Sequence, residues 1–284
     1  MSHLLHDNPD SQPKRGGHPL SDRPPEPEQE KGVSIPIPLS ANVPFLTYAL
    51  IVLNVGIFAL RYLVPELSNQ ILQAGYADAD AILRGRELYR LFTAMFLHLN
   101  EAHILFNGLA LYYIGSNLER LFGHVRFGIV YLLGGLTGSV LPLFFSSGGL
   151  GASGAVFAIW GAEAVFLYQH RAIFGAMGRA RLQNSLMLML VNFLAGFSAN
   201  ALANVADSNV RIGNAAHLGG LIGGAVLAWL IGPHFTVRRK AVIGEDGVPI
   251  EVVQNRPLTD RLHLVLYVAV GLLALLLMAI FLRT

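Results

Sequence analysis

Cysteine is absent from the chain, which excludes disulfides, thiolate chemistry and cysteine-ligated metals and leaves no sign of redox compartment. Charge is scarce: Asp, Glu, Lys and Arg make up 13% of the 284 residues, against roughly 25% in ordinary soluble domains. The formal net charge is +2, and no basic stripe with interleaved aromatics appears, so nucleic acid is not an expected partner. Long runs of strict apolar–polar alternation are missing as well, which argues against a β-barrel. No charged n-region, apolar h-region and cleavage site open the chain, so the first apolar run is expected to act as its own insertion signal.

What the chain has in quantity is apolar length. Hydrophobic residues make up 53%, and runs of about 20 residues, enough for a helix to cross the hydrocarbon core, recur seven times. They cover about 44–63, 102–118, 126–145, 153–168, 184–203, 214–232 and 262–282. The expected fold is therefore all-α: a polytopic helical bundle in the membrane, with a six-span core over 41–233 and a seventh transmembrane helix over 262–284. Residues 1–40, rich in proline and mixed charge, read as a disordered tail. Residues 234–261 read as a charged linker, with Gly244–Gly247 flanked by apolar pairs as a candidate hairpin turn. The connection over 64–101 holds Pro65, Arg84, Arg86, Glu87 and Arg90 together with apolar stretches, so it should pack on the protein or lie at the interface.

Lys and Arg placement sets the expected orientation. With the N-terminus cytoplasmic, the inner connections receive Arg120, Arg126, Arg171, Arg179, Arg181, Arg238, Arg239 and Lys240. The second, fourth and sixth spans then all run from outside to inside, so His103, Ser153 and His217, each near the start of one, fall in a single layer near the outer face.

Polar groups at membrane depth point to function. Ser153 lies in Gly148-Gly-Leu-Gly-Ala-Ser-Gly154, and a serine becomes a nucleophile only when a base takes its proton, most often a neutral histidine. Ser153 alone can equally be an N-cap, and His217 alone can equally bind a backbone carbonyl. Small residues recurring every fourth position, Ala216, Gly220, Gly224 and Ala228, match a second small face through Gly154, Ala158 and Ala162 or Gly161. Close packing of these stripes brings Ser153 and His217 side by side. His103 and Asn107 share a helix face one turn apart and can donate to an oxyanion with the Ser153 N–H, or can form an interhelical polar clamp. A metal site from His98, His103 and His217 lacks any carboxylate at ligand spacing, and no cofactor is expected. No acid near the outer ends of the fourth and sixth spans is placed to orient His217, Asp207 in the loop before the sixth being the only nearby candidate, so a Ser–His dyad is expected rather than a triad. Glu163 is too deep to reach the site.

Together these residues resemble the rhomboid family of intramembrane serine proteases. His103-Ile-Leu-Phe-Asn107, Gly151-Ala-Ser153-Gly154 and Ala216-His217-x-x-Gly220-x-x-x-Gly224 carry the resemblance, in order and on the right spans. Tyr89-Arg90 stands where the family often has Trp-Arg, and Glu119 falls at its acidic position after the second span. The resemblance covers about 44–232. It implies Ser153 as nucleophile, His217 as base, and His103, Asn107 and the Ser153 N–H as oxyanion donors. Gly151, Gly154, Phe157, Gly220, Gly224, Tyr89, Arg90 and Glu119 are implied as structural support, with the Phe157 ring available to stack on His217. The implied substrates are single-span proteins in the lipid bilayer, cleaved near the outer end of their helix; a bacterial plasma membrane is expected because no transit-like N-terminus is seen. An inactive relative that binds membrane clients is the alternative; a transporter would call for internal repeats around a midplane site.

Overall fold

The computed structural model describes residues 39–41, 43–145, 147–205, 213–240, 250–254 and 257–283. The expected tail before residue 39 and Asp207 lie outside this set, as does the candidate turn at Gly244–Gly247. Helix α1 spans Phe45–Leu63, and Pro65 at the first position of α2 (Pro65–Gly75) starts a new helix at once, because its missing N–H would have no partner there anyway. Two short helices follow, α3 (Ala79–Leu83) and α4 (Arg90–Thr93). The connection over 64–101 is thus folded onto the protein, with Ile82, Leu83, Leu91, Ala94 and Met95 buried.

Helix α5 (Glu101–Ala110) passes through a π turn at Leu111–Gly115 into α6 (Ser116–Phe122), and α7 covers His124–Val140. Then come α8 (Ser153–Gln169), α9 (Arg171–Val205) and α10 (Asn214–Ile231). Strands β1 (Thr236–Lys240) and β2 (Ile250–Gln254) pair antiparallel, so the expected linker contains a small β-ribbon in an otherwise helical protein. Helix α11 (Leu262–Arg283) closes the described chain.

A helical segment covers every apolar run. Among the described residues, four are long and apolar enough to cross a membrane: Phe45–Leu63, His124–Phe145, Asn214–Ile231 and Thr259–Arg283. The others depart from a plain span for visible reasons. The segment 101–122 contains the π turn, and α8 has 17 residues. Helix α9 begins well before the expected 184, because Arg171–Arg181 is also helical, and it breaks at Gly175 (φ 54°).

Two acids secure the end of the bundle away from Ser153. Helix α1 has no side-chain cap of its own. Its first N–H groups donate instead to the buried Glu119 carboxylate, Leu46 N at 2.8 Å and Thr47 N at 2.7 Å, with Thr47 Oγ1 at 2.6 Å. His124 Nδ1 bonds the same carboxylate. A carboxylate at a helix N-terminus also meets the positive end of its dipole. Glu163 ties α8 to α9 through an ion pair with Arg181 and a 2.9 Å hydrogen bond from Ser185, as expected of an acid too deep for the site.

The centre is built on absent side chains. A Cβ added to Gly220 would lie 2.0 Å from the Gly154 carbonyl oxygen, one on Gly224 1.9 Å from that of Ala158, and one on Gly161 2.4 Å from that of Leu221. Gly134 and Gly138 of α7 meet the same seam at Ala158 and Gly154. Thr137 reaches from α7 to the Gly219 carbonyl at 2.9 Å. Helices α7, α8 and α10 therefore touch backbone to backbone along the stripes of small residues.

Gly224→Ala should destabilise the protein by about 1–3 kcal/mol, the usual range for overpacking, whereas Gly56→Ala on α1, where an added Cβ meets nothing within 4 Å, should leave stability unchanged or raised. Thermal unfolding of the two variants in detergent checks this.

Candidate active site

Ser153 is the first residue of α8, and the loop before it is held by the connection over 64–101. Ala77 and Gly149 exchange two backbone hydrogen bonds at 3.0 Å, and Gly151 N donates to Ala94 O at 2.9 Å. The neighbouring Gly148 passes so close that a Cβ would fall 1.8 Å from Ala77 O. Gly151 has φ +126°, a left-handed conformation that favours glycine. A Cβ there would meet the His103 ring at 2.5 Å and Asn107 Nδ2 at 3.7 Å. The glycine thus lets the serine loop lie directly against both expected oxyanion donors. As the first helical residue, Ser153 presents one of the orphan N–H groups of α8, and no side chain caps that end.

His217 stands on the first turn of α10. Its ring stacks on Phe157, with centroids 4.2 Å apart and planes within 8°, and Phe193 of α9 meets it edge-on at 6.2 Å. Phe157 lies one turn along α8 from Ser153, so His217 sits over the helix face that carries the serine. The contact of Gly220 with Gly154 fixes this register, since each is close in sequence to one of the pair. Ser153 and His217 share no hydrogen bond in this structure; such bonds are often loose until substrate binds. His217 Nδ1 is buried with no partner, so no acid among the described residues orients the ring. No group of three His, Cys, Asp or Glu suited to hold a metal is present among the described residues.

His103 and Asn107 lie on α5, where Asn100 caps the helix by accepting from His103 N at 2.9 Å. Asn107 is buried, and its Nδ2 has no partner. His98, considered above only as a metal ligand, packs its ring 5.1 Å from that of His103. Burial and the nearby His103 push the His98 imidazole down to about 4, so it is neutral at physiological pH.

Tyr89 and Arg90 lie on the connection. Arg90 donates to Glu87 at 2.7 Å, to Gln73 O at 2.7 Å and to Tyr76 O at 3.1 Å, linking the end of α2 to α4. Its guanidinium lies 5.6 Å from the Tyr89 ring centroid, while Tyr89 itself is exposed and donates to Glu87 at 2.9 Å. The bond from Arg90 holds the Glu87 carboxyl below its ordinary 4.5. That anchor is therefore complete above pH 4.5 and weakens as pH falls through the lowered value.

The rhomboid domain model matches residues 85–234 of this chain. The chain belongs to the rhomboid family. It is 34% identical over 191 residues to Rhomboid protease GluP of Bacillus subtilis (strain 168), covering 66% of this chain and 35% of that protein. Over 231 residues it is 29% identical to RHOMBOID-like protein 1 of Arabidopsis thaliana, covering 70% and 56%. Rhomboid protease AarA of Providencia stuartii is 28% identical over 217 residues, covering 66% and 74%. The chain thus spans about a third of the Bacillus relative and just over half of the Arabidopsis one. This rhomboid is an integral membrane protein, with apolar helices long enough to span the bilayer. The matched stretch contains all the residues discussed as the site and leaves out α1 and α11.

Gly151→Ala should cost about 1–2 kcal/mol in left-handed strain, plus the clash with His103. Gly149→Ala should be tolerated, since an added Cβ there meets nothing within 4 Å. Thermal unfolding midpoints of the two variants, compared with the wild type, test the difference.

Proposed function

We propose that this rhomboid is an intramembrane serine endopeptidase that hydrolyses a peptide bond in or near the transmembrane segment of single-span membrane proteins. The observation that supports this most is the stacking of His217 on Phe157, one turn from Ser153. The bacterial relatives named as proteases point the same way. In this reading the His217 imidazole takes the Ser153 hydroxyl proton as Oγ bonds to the scissile carbonyl carbon. The carbonyl oxygen becomes an oxyanion that accepts hydrogen bonds from His103, Asn107 and the Ser153 N–H. The dipole of α8 adds to that stabilisation. The imidazolium then gives its proton to the leaving amine as the C–N bond breaks, leaving an acyl-enzyme. Water attacks the acyl-enzyme, His217 takes its proton, and Ser153 is released. No cofactor or metal enters the sequence.

The same reading assigns six spans to the core and a seventh to α11, with the N-terminus cytoplasmic and the site near the outer face of a bacterial plasma membrane. A helical peptide bond is shielded from attack, so substrates should carry small or helix-destabilising residues near the cut. The missing hydrogen bond between Ser153 and His217 favours a second reading, an inactive relative that binds membrane clients.

Two measurements separate them. Cleavage of a single-span substrate in proteoliposomes should fall by about 10⁴-fold or more in Ser153→Ala and in His217→Ala, with folding intact. A fluorophosphonate should label Ser153 in the wild type and not in His217→Ala. Undiminished cleavage by Ser153→Ala sinks the assignment, and a folded wild type that takes no label supports the client-binding reading.

A further inference from the structure

Three buried polar side chains with unmet hydrogen-bonding atoms, one of them the candidate oxyanion donor Asn107, come together around one cavity. Asn54 is 3% exposed, His98 4% and Asn107 7%. Asn54 Oδ1, both ring nitrogens of His98 and Asn107 Nδ2 lack a hydrogen bond of good geometry, with the buried Tyr131 hydroxyl beside Asn54 and the Phe96 backbone beside the His98 ring. All three residues line one cavity between α1, α5 and the loop before α5, walled otherwise by apolar groups such as Ile51, Ile104 and Leu111, with a cavity volume of about 10 Å³, the room of a single water. An unmet buried donor or acceptor costs roughly 1–3 kcal/mol, so one such residue would be a flaw and three around one space are a site.

The atom types are complementary to water. Asn54 Nδ2 is engaged with Leu50 O at 2.9 Å, which leaves Oδ1 to accept. Asn107 Nδ2 has N–H groups to donate, and a neutral imidazole offers one donor and one acceptor. A water donating to Asn54, accepting from Asn107 and bonding His98 makes the usual three hydrogen bonds of a buried water. An apolar occupant would leave the Asn107 amide with no acceptor in the cavity.

We propose that an internal water bridges Asn54, His98 and Asn107, making Asn54 and His98 positioning residues for the Asn107 carboxamide. An asparagine amide carries two N–H donors. With one held by the water, the carboxamide stops rotating and the other N–H is presented on the Gly151 side. The inference rests on the reading of Asn107 as an oxyanion donor. It also gives α1 a part in the site, although Asn54 lies outside the matched stretch 85–234.

The test measures kcat and KM for a single-span substrate with His98→Phe, Asn54→Leu and His98→Gln, each alone and combined with Asn107→Ala. Thermal unfolding is recorded in parallel. His98→Phe and Asn54→Leu should lower kcat about 10-fold or more, short of the 10²–10³ that follows outright loss of an oxyanion donor. KM should stay within about twofold, and His98→Gln, which restores a donor and an acceptor, should recover most of the rate. Neither His98→Phe nor Asn54→Leu should lower kcat further once Asn107 is alanine. Losses that add in full to that of Asn107→Ala, or a fully active His98→Phe, overturn the proposal. Full activity of Asn107→Ala would instead overturn the oxyanion reading. In that event, or if a variant does not fold, a high-resolution crystal structure of the wild type decides. Ordered water between the three side chains upholds the bridge, and a dry cavity or direct bonds among them overturn it.

Discussion

The approach of α8 to α10 is the constraint on which the rest of the site depends. Where an added Cβ would stand about 2 Å from a carbonyl oxygen of the facing helix, no side chain other than hydrogen fits. Dispersion between two backbones in contact is collectively large. In lipid, where tails are as apolar as any side chain, close packing of this kind takes the place of a hydrophobic drive between helices. Each glycine therefore sets a distance and a register together. Shifting α10 by one residue along α8 would remove His217 from Phe157 and set Cβ atoms against carbonyls.

Around that seam the two ends of the protein are held by different chemistry. At one end, Glu119 and Glu163 each gather several donors, and both are buried. At the other, backbone hydrogen bonds join the serine loop to the connection over 64–101, and an edge-on pair of rings, His98 and His103, joins that connection to α5. Charges there would have to be desolvated beside the candidate nucleophile, shifting the protonation of everything near them. Neutral contacts align the parts next to Ser153, and the Arg90–Glu87 pair stays within the connection.

Much of this was legible in the sequence, because it rests on period and length. The four-residue spacing of Ala216, Gly220 and Gly224 declared the seam, while the Phe157 ring available to His217 came only from the resemblance to the rhomboid family. Glu163, read as a helix–helix contact from its depth, does bind Arg181 and Ser185 of α9. What could not be read depends on contacts between distant segments. Nothing local in Ala77 or Gly149 announces that they pair, and a polar residue on an apolar run, such as Asn54, does not reveal what it faces. The early start of α9 was hidden for a different reason. Its first turns are basic, so hydropathy marks only the apolar part of a longer helix, and the π turn at Leu111–Gly115 leaves no mark in composition.

The stacking of His217 on Phe157 has a further consequence. Parallel rings fix the plane of the imidazole but are blind to a half-turn about its Cβ–Cγ bond, a torsion that is broad and two-fold for histidine in any case. That half-turn exchanges Nδ1 with a ring carbon and leaves the stack unchanged. A carboxylate bonded to Nδ1 would break the degeneracy; among the described residues none does. If both orientations were equally populated, half the molecules would hold the ring the wrong way round, which corresponds to about 0.4 kcal/mol. A loss that small means that a histidine stacked in this way would gain little from an acid on Nδ1.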